Sequence, residues 1–495
     1  MQYISTRNKK LAVSGAKAIV QGLSAEGGLY VPEAFPEVLK DDFESFLDMD
    51  YAARAHFIIG KFLPELKDVL PEYTQNAYAK FDDGDPAPLV KINDTTYMLE
   101  LWHGPTCAFK AMALQLLPHL LKTSANKVTP GKTTLILTAT SGDTGKAALD
   151  GFKDIEGIKI DVFYPVDGVS DMQRMQMVTQ EGDNVYVSAI KGNFDDAQTG
   201  VKNIFSDRRL VAELAGRDIQ LSSANSINWG RLAPQIVYYI SAYCDLLSAG
   251  KINMGDPVNI VVPTGNFGNI LAAYYAGLCG LPVGKLICAS NQNKVLTDFI
   301  KTGIYDARRR LHVTTSPSMD ILISSNLERL LYELSDKDDS VVGGYMSDLK
   351  NNGVYTVSKR CADRIKSLMY GGFLDDVGTG KVIRRIWEEY DYLCDTHTAV
   401  GIGVHEQYVK ETGDNTIAII ASTASPYKFS GSVLKALGVP QSEDEFANLD
   451  TLSQKTGTNI PAGLAELKNK PVRFNGTIAK EDMSQEILAQ LTMDN

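Results

Sequence analysis

VNIVVPTGNFGNILAAYYAGL, residues 258–278, decides the fold class. Its first part, VNIVVPTG, is a short apolar run rich in β-branched residues and reads as a buried strand. Its second, GNILAAYYAGL, has the length and composition of a helix. Gly265 and Gly268 lie at the junction, where the chain must turn sharply. A strand that turns through glycines into a helix is the building unit of parallel sheets covered by helices on both faces. The unit recurs. TTLILTAT (133–140), IKIDVFYP (158–165), DNVYVSAI (183–190), KLICAS (285–290) and NTIAIIAST (415–423) read as further buried strands, and GKAALDGFKD as the helix after the first of them. The expected fold is α/β, with two twisted, mostly parallel sheet domains flanked by helices. No tandem repeat or low-complexity tract interrupts the pattern. The polar, glycine-bearing stretch LSDKDDSVVGGYMSDLKNNG (334–353) reads as a surface loop or a joint.

Bulk properties bound the possibilities. A chain of 495 residues exceeds the size at which a single core stops growing, so more than one domain is expected. Hydrophobic residues at 44% and charged residues at 22% match ordinary globular proteins and exclude a disordered or collagen-like chain. The net charge of -11 argues against nucleic acid or an anionic membrane as partner, though not against one local basic pocket for a small anion. The N-terminal residues lack the apolar core of a secretion signal, and no apolar run approaches the roughly 20 residues that span a bilayer. A cytoplasmic location is expected. The six cysteines are scattered without a C-x-x-C pair, which favours free thiols over disulfides or a zinc site, and no metal is expected.

Two glycine turns follow predicted strands, TSGDTGKAAL and GNFGNILAAYY, at the place where α/β sheets bind ligands. In the second, closely approachable backbone amides and a new helix N-terminus suit a phosphate. Neither turn is specific by itself. GDTGK lacks the glycine spacing and the magnesium-binding hydroxyl of a nucleotide P-loop, and GNFGN lacks the G-x-G-x-x-G spacing of a dinucleotide site. Each is also compatible with a simple tight connection. In WHGPTCAFKAMALQLLP (102–118), Lys110 falls near the start of a mostly apolar helix. On spacing alone, it is either a desolvated amine or a lysine whose stem lies along apolar surface while its head reaches water.

Eight segments in order, HGPTCAFK (103–110), ATSGDTG (139–145), GNFDDAQ (192–198), NSINWGR (225–231), VPTGNFGN (262–269), SPSMDI (316–321), CDTHTAVG (394–401) and STASPYKF (422–429), resemble the threonine synthase family. That family belongs to the tryptophan-synthase-β-like, fold type II group of pyridoxal-phosphate enzymes. ISTRN and GLSAEGGLYVPE near the N-terminus resemble its longer, microbial form. The resemblance covers most of the chain and is least informative over the last fifty or so residues.

The resemblance implies that Lys110 holds pyridoxal phosphate as a Schiff base and later shuttles the proton at the substrate's α-carbon. An apolar setting agrees with that role, since only a neutral amine attacks an aldehyde. Gly265, Asn266, Phe267, Gly268 and Asn269 would hold the cofactor phosphate. Asp143 stands where a contact to the ring oxygen is usual, though a carboxylate facing a phenolate must share a proton or point elsewhere. The Thr423 hydroxyl would meet the ring nitrogen, and Ser425, before Pro426, reads as structural. The implied substrate is O-phosphohomoserine. Its phosphate would meet Asn225, Ser226, Arg231 and Thr144, the arginine through a bidentate contact; its carboxylate would lie against Thr140, Ser141 and Gly142. The alternative for Arg231, which the resemblance disfavours, is a surface cation beside a domain interface.

The implied reaction removes the α-proton, expels the γ-phosphate after loss of a β-proton, and adds water at the β-carbon to give threonine, the last step of its biosynthesis. His103 and His397 lie in matching motifs, and a bond to a backbone carbonyl is expected of each. One residue departs from the family pattern: aspartate usually follows the cofactor lysine, and here Ala111 does. A first-turn carboxylate is worth roughly 0.3–1 kcal/mol, so Ala111→Asp is expected to stabilise the fold. The expected organisation is an N-terminal domain over 1–90, a smaller α/β domain over 91–225 with the cofactor lysine and SGDTG turn, and a larger one over 226–495 with the GNFGN loop. A monomer or homodimer is expected. Two other functions fit this pattern: a related lyase or dehydratase acting on another hydroxy- or phospho-amino acid, and a non-catalytic binding protein that keeps the fold.

Overall fold

The computed structural model describes residues 1–81, 84–166 and 169–493. Two sheets dominate. The larger has six strands in the order Met369–Phe373, Val283–Ser290, Val258–Pro263, Ala418–Ser422, Thr96–Glu100, Leu89–Lys91. All neighbours in it are parallel except the edge pair Leu89–Lys91 and Thr96–Glu100. The smaller has five parallel strands in the order Thr477–Ala479, Val185–Lys191, Ile158–Pro165, Thr133–Ala139, Ile219–Ser222. The α/β architecture expected from the strand–turn–helix units is therefore present, and the six predicted strands all lie in these sheets.

Each sheet has one place where the chain reverses its direction of strand addition. From Val258–Pro263 it goes outward through Val283–Ser290 and Met369–Phe373, then returns to the other side as Ala418–Ser422. From Thr133–Ala139 it goes outward through Ile158–Pro165 and Val185–Lys191, then returns as Ile219–Ser222. Loops leaving the carboxyl ends of two such neighbours must diverge, which opens a crevice. The four segments concerned are GNFGN and STASP in the larger sheet, and SGDTG and NSINWGR in the smaller one. Strand Thr96–Glu100, parallel to Ala418–Ser422, adds the segment that ends in Lys110.

Two segments cross the expected domain boundaries. Strand Thr96–Glu100 is rooted in the six-stranded sheet, so the lysine segment grows from the larger domain's sheet. Thr477–Ala479 closes the edge of the smaller sheet, and Met483, Ile487 and Leu491 of the terminal helix pack on Leu135, Leu137 and Phe163 of that sheet. A three-stranded antiparallel sheet, Asn8–Ser14, Gln2–Ser5, Tyr30–Pro32, heads the chain. The helix Trp229–Ser248 is buried over most of its length, packed against the helices Gly268–Leu278, Tyr51–Phe62 and Lys110–Leu114.

Residues 334–353 are not the expected loop. Asp339–Asn352 is a helix, capped by Asp338, whose carboxylate accepts the amides of Ser340 and Val341, and closed by Gly353 in the left-handed region. Val342 is buried, and Tyr345, Met346 and Leu349 pack against the core. That i, i+3, i+4, i+7 stripe outweighs the two interior glycines. Among the described residues no helix is long and apolar enough to cross a membrane.

Candidate active site between the two sheets

Lys110 is the first residue of a short helix, Lys110–Leu114, as the apolar pattern predicts. The preceding turn is sewn to the STASP segment: Phe109 N donates to Thr423 O at 2.8 Å, Ser425 N donates to Cys107 O at 3.0 Å, and Ala108 bridges Ala424. Cys107 takes a left-handed φ of 55° in this turn. The amine is part-buried, and desolvation pushes the ammonium down to about 8. Asp143 opposes that shift, while Arg231 and Lys428 add to it. Near neutral pH an appreciable fraction of the amine is therefore uncharged and able to accept a proton or attack a carbonyl.

Asp143 begins the helix Asp143–Phe152. Its Oδ1 receives Lys428 Nζ at 2.7 Å and Gln173 Nε2 at 2.9 Å, and its Oδ2 receives Ser318 Oγ at 3.3 Å. Burial by itself would raise its pKa, but Lys428 and Lys110, with the hydrogen bonds, hold the carboxyl well below the usual range. Asp143 thus stays ionised with its oxygens committed to side-chain donors. Gly142, at φ 131°, is required here because a Cβ would stand 2.3 Å from Gln173 Cδ.

The Thr140 hydroxyl accepts the amides of Gly142 and Gly145, each at 2.9 Å, and the Thr140 amide donates to Phe163 O. These bonds shape the turn and leave Ser141 part-exposed at its tip. Across the crevice Arg231 is buried, its Nη1 donating to Ala224 O at 2.8 Å and its Nη2 reaching Thr144 Oγ1 at 3.5 Å. It is a cation facing the site, not the alternative surface residue. Asn225 and Ser226 are part-exposed beside it, and buried Asn228 ties their loop to Ile19 O and Ser223 O.

The GNFGN loop presents the complementary feature. Gly265 O accepts from Ser324 Oγ, and Asn266 O accepts from the backbone and side-chain amides of Asn326. With the carbonyls pulled to that side, the amides of Gly265, Asn266 and Phe267 have no acceptor among the described residues. Phe267 sits at φ 67° and Gly268 opens the helix Gly268–Leu278. Asn269 Oδ1 accepts from Tyr238 and Tyr239, leaving Asn269 Nδ2 buried without a partner. A buried orphan donor beside free amides at a helix start fits a dianionic phosphate. A Cβ on Gly265 would meet Ser318 O at 2.5 Å, and one on Gly268 would lie 3.7 Å from Ser226 Cβ. The loop therefore adjoins both the residue that touches Asp143 and the loop that leads into the helix of Arg231.

Neither histidine bonds a backbone carbonyl, contrary to expectation. His103 Nε2 lies 2.7 Å from Glu100 Oε2, which shares its carboxylate with Tyr392. His397 Nδ1 lies 2.7 Å from Asp395 Oδ2, and its Nε2 accepts the Ser318 amide at 3.2 Å. An amide only donates, so Nε2 is bare and Nδ1 carries the proton. Ser425 Oγ accepts its neighbour Tyr427 N, in line with its structural assignment, and Thr423 is buried against Phe109. Ala111 is fully buried, and a Cβ on Gly104 would stand 3.0 Å from its methyl. The expected first-turn position is thus an interior one, and the stabilising effect expected of a carboxylate there reverses.

Lys428, Gln173 and Ser318 did not emerge from sequence reasoning. Lys428 and Ser318 lie inside segments singled out for other residues. Gln173 carries a local signal, since SDMQ (170–173) is a capping box in which Ser170 and Gln173 bond reciprocally.

Known proteins resemble this chain over most of its length. The family described as threonine synthase N terminus matches residues 2–78, and that described as threonine synthase, C-terminal, matches 398–477. Human threonine synthase-like 1 is 38% identical over 461 residues, covering 89% of this chain and 61% of its own length. The chain spans about 61% of the length of that relative. Threonine synthase of Pseudomonas aeruginosa is 36% identical, with 94% of this chain and 97% of the relative covered. A structure described as PLP-bound threonine synthase from Brucella melitensis superposes with a TM-score of 0.87 at 33% identity, covering 99% of both chains.

Proposed function

Because the chain belongs to the threonine synthase family, we propose that it converts O-phospho-L-homoserine and water to L-threonine and phosphate, with pyridoxal phosphate as cofactor. The observation that carries this is the part-buried Lys110 amine, pushed down to about 8, at a crevice that also holds a loop of free amides.

The amides of Gly265, Asn266 and Phe267, the start of the helix at Gly268 and Asn269 Nδ2 would hold the cofactor phosphate. Lys110 would carry the cofactor, and Thr423 would lie at its ring nitrogen. When bound, the cofactor supplies an aromatic ring that stabilises negative charge at the substrate's α-carbon. The chain's own residues do the rest. Arg231 and Thr144, with Asn225 and Ser226, bind the substrate phosphate; Ser141, Thr140 and Gly142 face its carboxylate. Lys110, uncharged in part at neutral pH, takes a proton from the α-carbon and returns it there. Asp143, ionised and tied to Lys428, offers negative charge to the Lys110 ammonium after that transfer. Six buried cysteines outside any disulfide suit the cytoplasm, and the enzyme acts there as a monomer or homodimer on small molecules alone.

The test is direct. Purified protein is incubated with phosphohomoserine, phosphoserine, serine and threonine, and phosphate, threonine and keto acid are measured. Phosphate and threonine in equal amounts, from phosphohomoserine alone, support the proposal. Keto acid from serine or threonine would support a dehydratase instead, and no product from any of them would leave only a binding role.

A further inference from the structure

Lys428 is a fully enclosed cation in the site. Its side chain is fully shielded from solvent, at 0% exposure against 4% for Asp143. Its ammonium lies 2.7 Å from Asp143 Oδ1 and donates to Thr106 O at 3.0 Å. Those contacts join three separate segments. Asp143 starts the helix after the SGDTG turn of the smaller sheet. Thr106 belongs to the turn that leads to Lys110. Lys428 itself ends the TASPYK segment, which is already bonded to that turn through Thr423 and Ser425. Burying an ammonium is costly unless a carboxylate and further acceptors receive it, and an ion pair kept in such a place usually serves specificity more than stability.

We propose that Lys428 is a positioning residue for the reaction, a buried cation that ties Asp143 to the turn before Lys110 and so keeps that carboxylate from closing onto the Lys110 amine. The inference rests on the assignment of Lys110 made above. The charged groups facing Lys110 are Asp143, Arg231 and Lys428. Those facing Lys428 include Asp143, Lys110 and Lys146, the last held by Asp150 and Gln180. Arg231 bonds Ala224 O and Thr144, with no carboxylate among its hydrogen-bond partners. Without Lys428, Asp143 keeps only Gln173 and Ser318 as donors, and the remaining cation whose charge acts on it is Lys110. A direct Asp143–Lys110 pair would hold the ammonium charged and remove the nucleophile. Lys428 satisfies the carboxylate first, which leaves Lys110 its neutral fraction, consistent with the lowering to about 8.

The measurement is the pH dependence with which Lys110 of the full-length chain is trapped by pyridoxal and cyanoborohydride, read by peptide mapping. Pyridoxal lacks the phosphate, so the GNFGN loop does not enter. Lys428→Met is expected to move the midpoint of the profile upward, slowing trapping at pH 7.5 about tenfold, the effect of a shift of about one pH unit. Lys428→Arg should restore the native profile to within about threefold. Asp143→Asn added to Lys428→Met should restore speed, because the carboxylate that captures Lys110 is gone. A structural role alone would make the double variant worse than either single one. An unchanged profile in Lys428→Met, or a double variant as slow as the single, overturns the proposal. If Lys428→Met does not fold by circular dichroism, Lys428→Gln is read instead: slower trapping supports the proposal and an unchanged rate refutes it. Borohydride reduction of the chain loaded with pyridoxal phosphate separates the two levels. Label on another residue sinks both this inference and the proposed function, whereas label on Lys110 with an unmoved profile sinks this inference alone.

Discussion

Asn326 binds the carbonyl of Asn266 twice, through its backbone amide at 3.1 Å and its side-chain amide at 3.2 Å. The contact turns the GNFGN amides toward the crevice, and it is itself braced. Arg329 Nη1 donates to Asn326 Oδ1, while Nη2 reaches Ile227 O at 2.7 Å and Nε reaches Tyr30 O at 3.0 Å. Next to it, Glu328 is gripped by Arg7 through two parallel bonds of 2.8 and 2.7 Å. The N-terminal sheet thus supports, through one short helix, both the candidate phosphate loop and the loop that leads into the helix of Arg231.

Asn326→Ala should therefore weaken cofactor binding more than it weakens the fold. It removes one side-chain bond to Asn266 and leaves an Arg329 donor unpaired, worth about 1–3 kcal/mol together. Equilibrium dialysis against pyridoxal phosphate should give a dissociation constant roughly tenfold higher, in line with about 1.4 kcal/mol. An unchanged constant would show that the amides are oriented without this brace.

Ala111→Asp should destabilise the protein. The position is fully buried against Gly104, so the carboxylate loses its water, and a cost of at least about 2 kcal/mol outweighs the helix-dipole gain. Thermal unfolding should show a lower Tm than the native chain. A higher Tm would mean that the interior at this point offers the carboxylate donors of its own.

Gly142→Ala combines a left-handed backbone with an overlap on Gln173, and should cost more than Gly131→Ala. Gly131 also has positive φ, at 82°, but nothing lies within 4 Å of its Cβ position. Positive-φ strain is of order 1–3 kcal/mol, so a loss in urea unfolding beyond that of Gly131→Ala reports the clash together with the more extreme φ of Gly142. Gly142→Ala should also loosen the Gln173 bond to Asp143; equal stability of the two variants would contradict the overlap.

Burial raises the Glu333 carboxyl from 4.5 to about 7, with Lys337 only partly opposing it. A folded-state pKa above the unfolded one means stability that is fully present below about 4.5 and is lost as pH rises toward 7. Glu333→Gln, which cannot ionise, should match the native chain near pH 4 and exceed it by about 3 kcal/mol at pH 8. Urea midpoints that differ equally at both pH values would assign the effect to packing alone.

Local pattern made much of this molecule legible. TTLILTAT and IKIDVFYP read as strands at 133–140 and 158–165, and the strands run Thr133–Ala139 and Ile158–Pro165. Lys110 opens a helix where the apolar spacing puts it. Residues 334–353 misled because glycine and charge weigh against a helix locally, whereas the stripe from Val342 to Leu349 has value only against the core it packs on. Ala111 misled likewise, since a helix's first turn is exposed only if nothing covers it.

Runs of β-branched residues, glycine turns and helical periodicity act over a few residues, so the sequence by itself determined the strand–turn–helix units, the α/β class and the segments that line the crevice. Only the tertiary structure decided which strands neighbour one another, that Lys428 rather than Lys110 takes Asp143, and which first-turn residue lies inside. Those outcomes depend on the desolvation of charges and on contacts between residues hundreds of positions apart, and neither leaves a periodic trace in the chain.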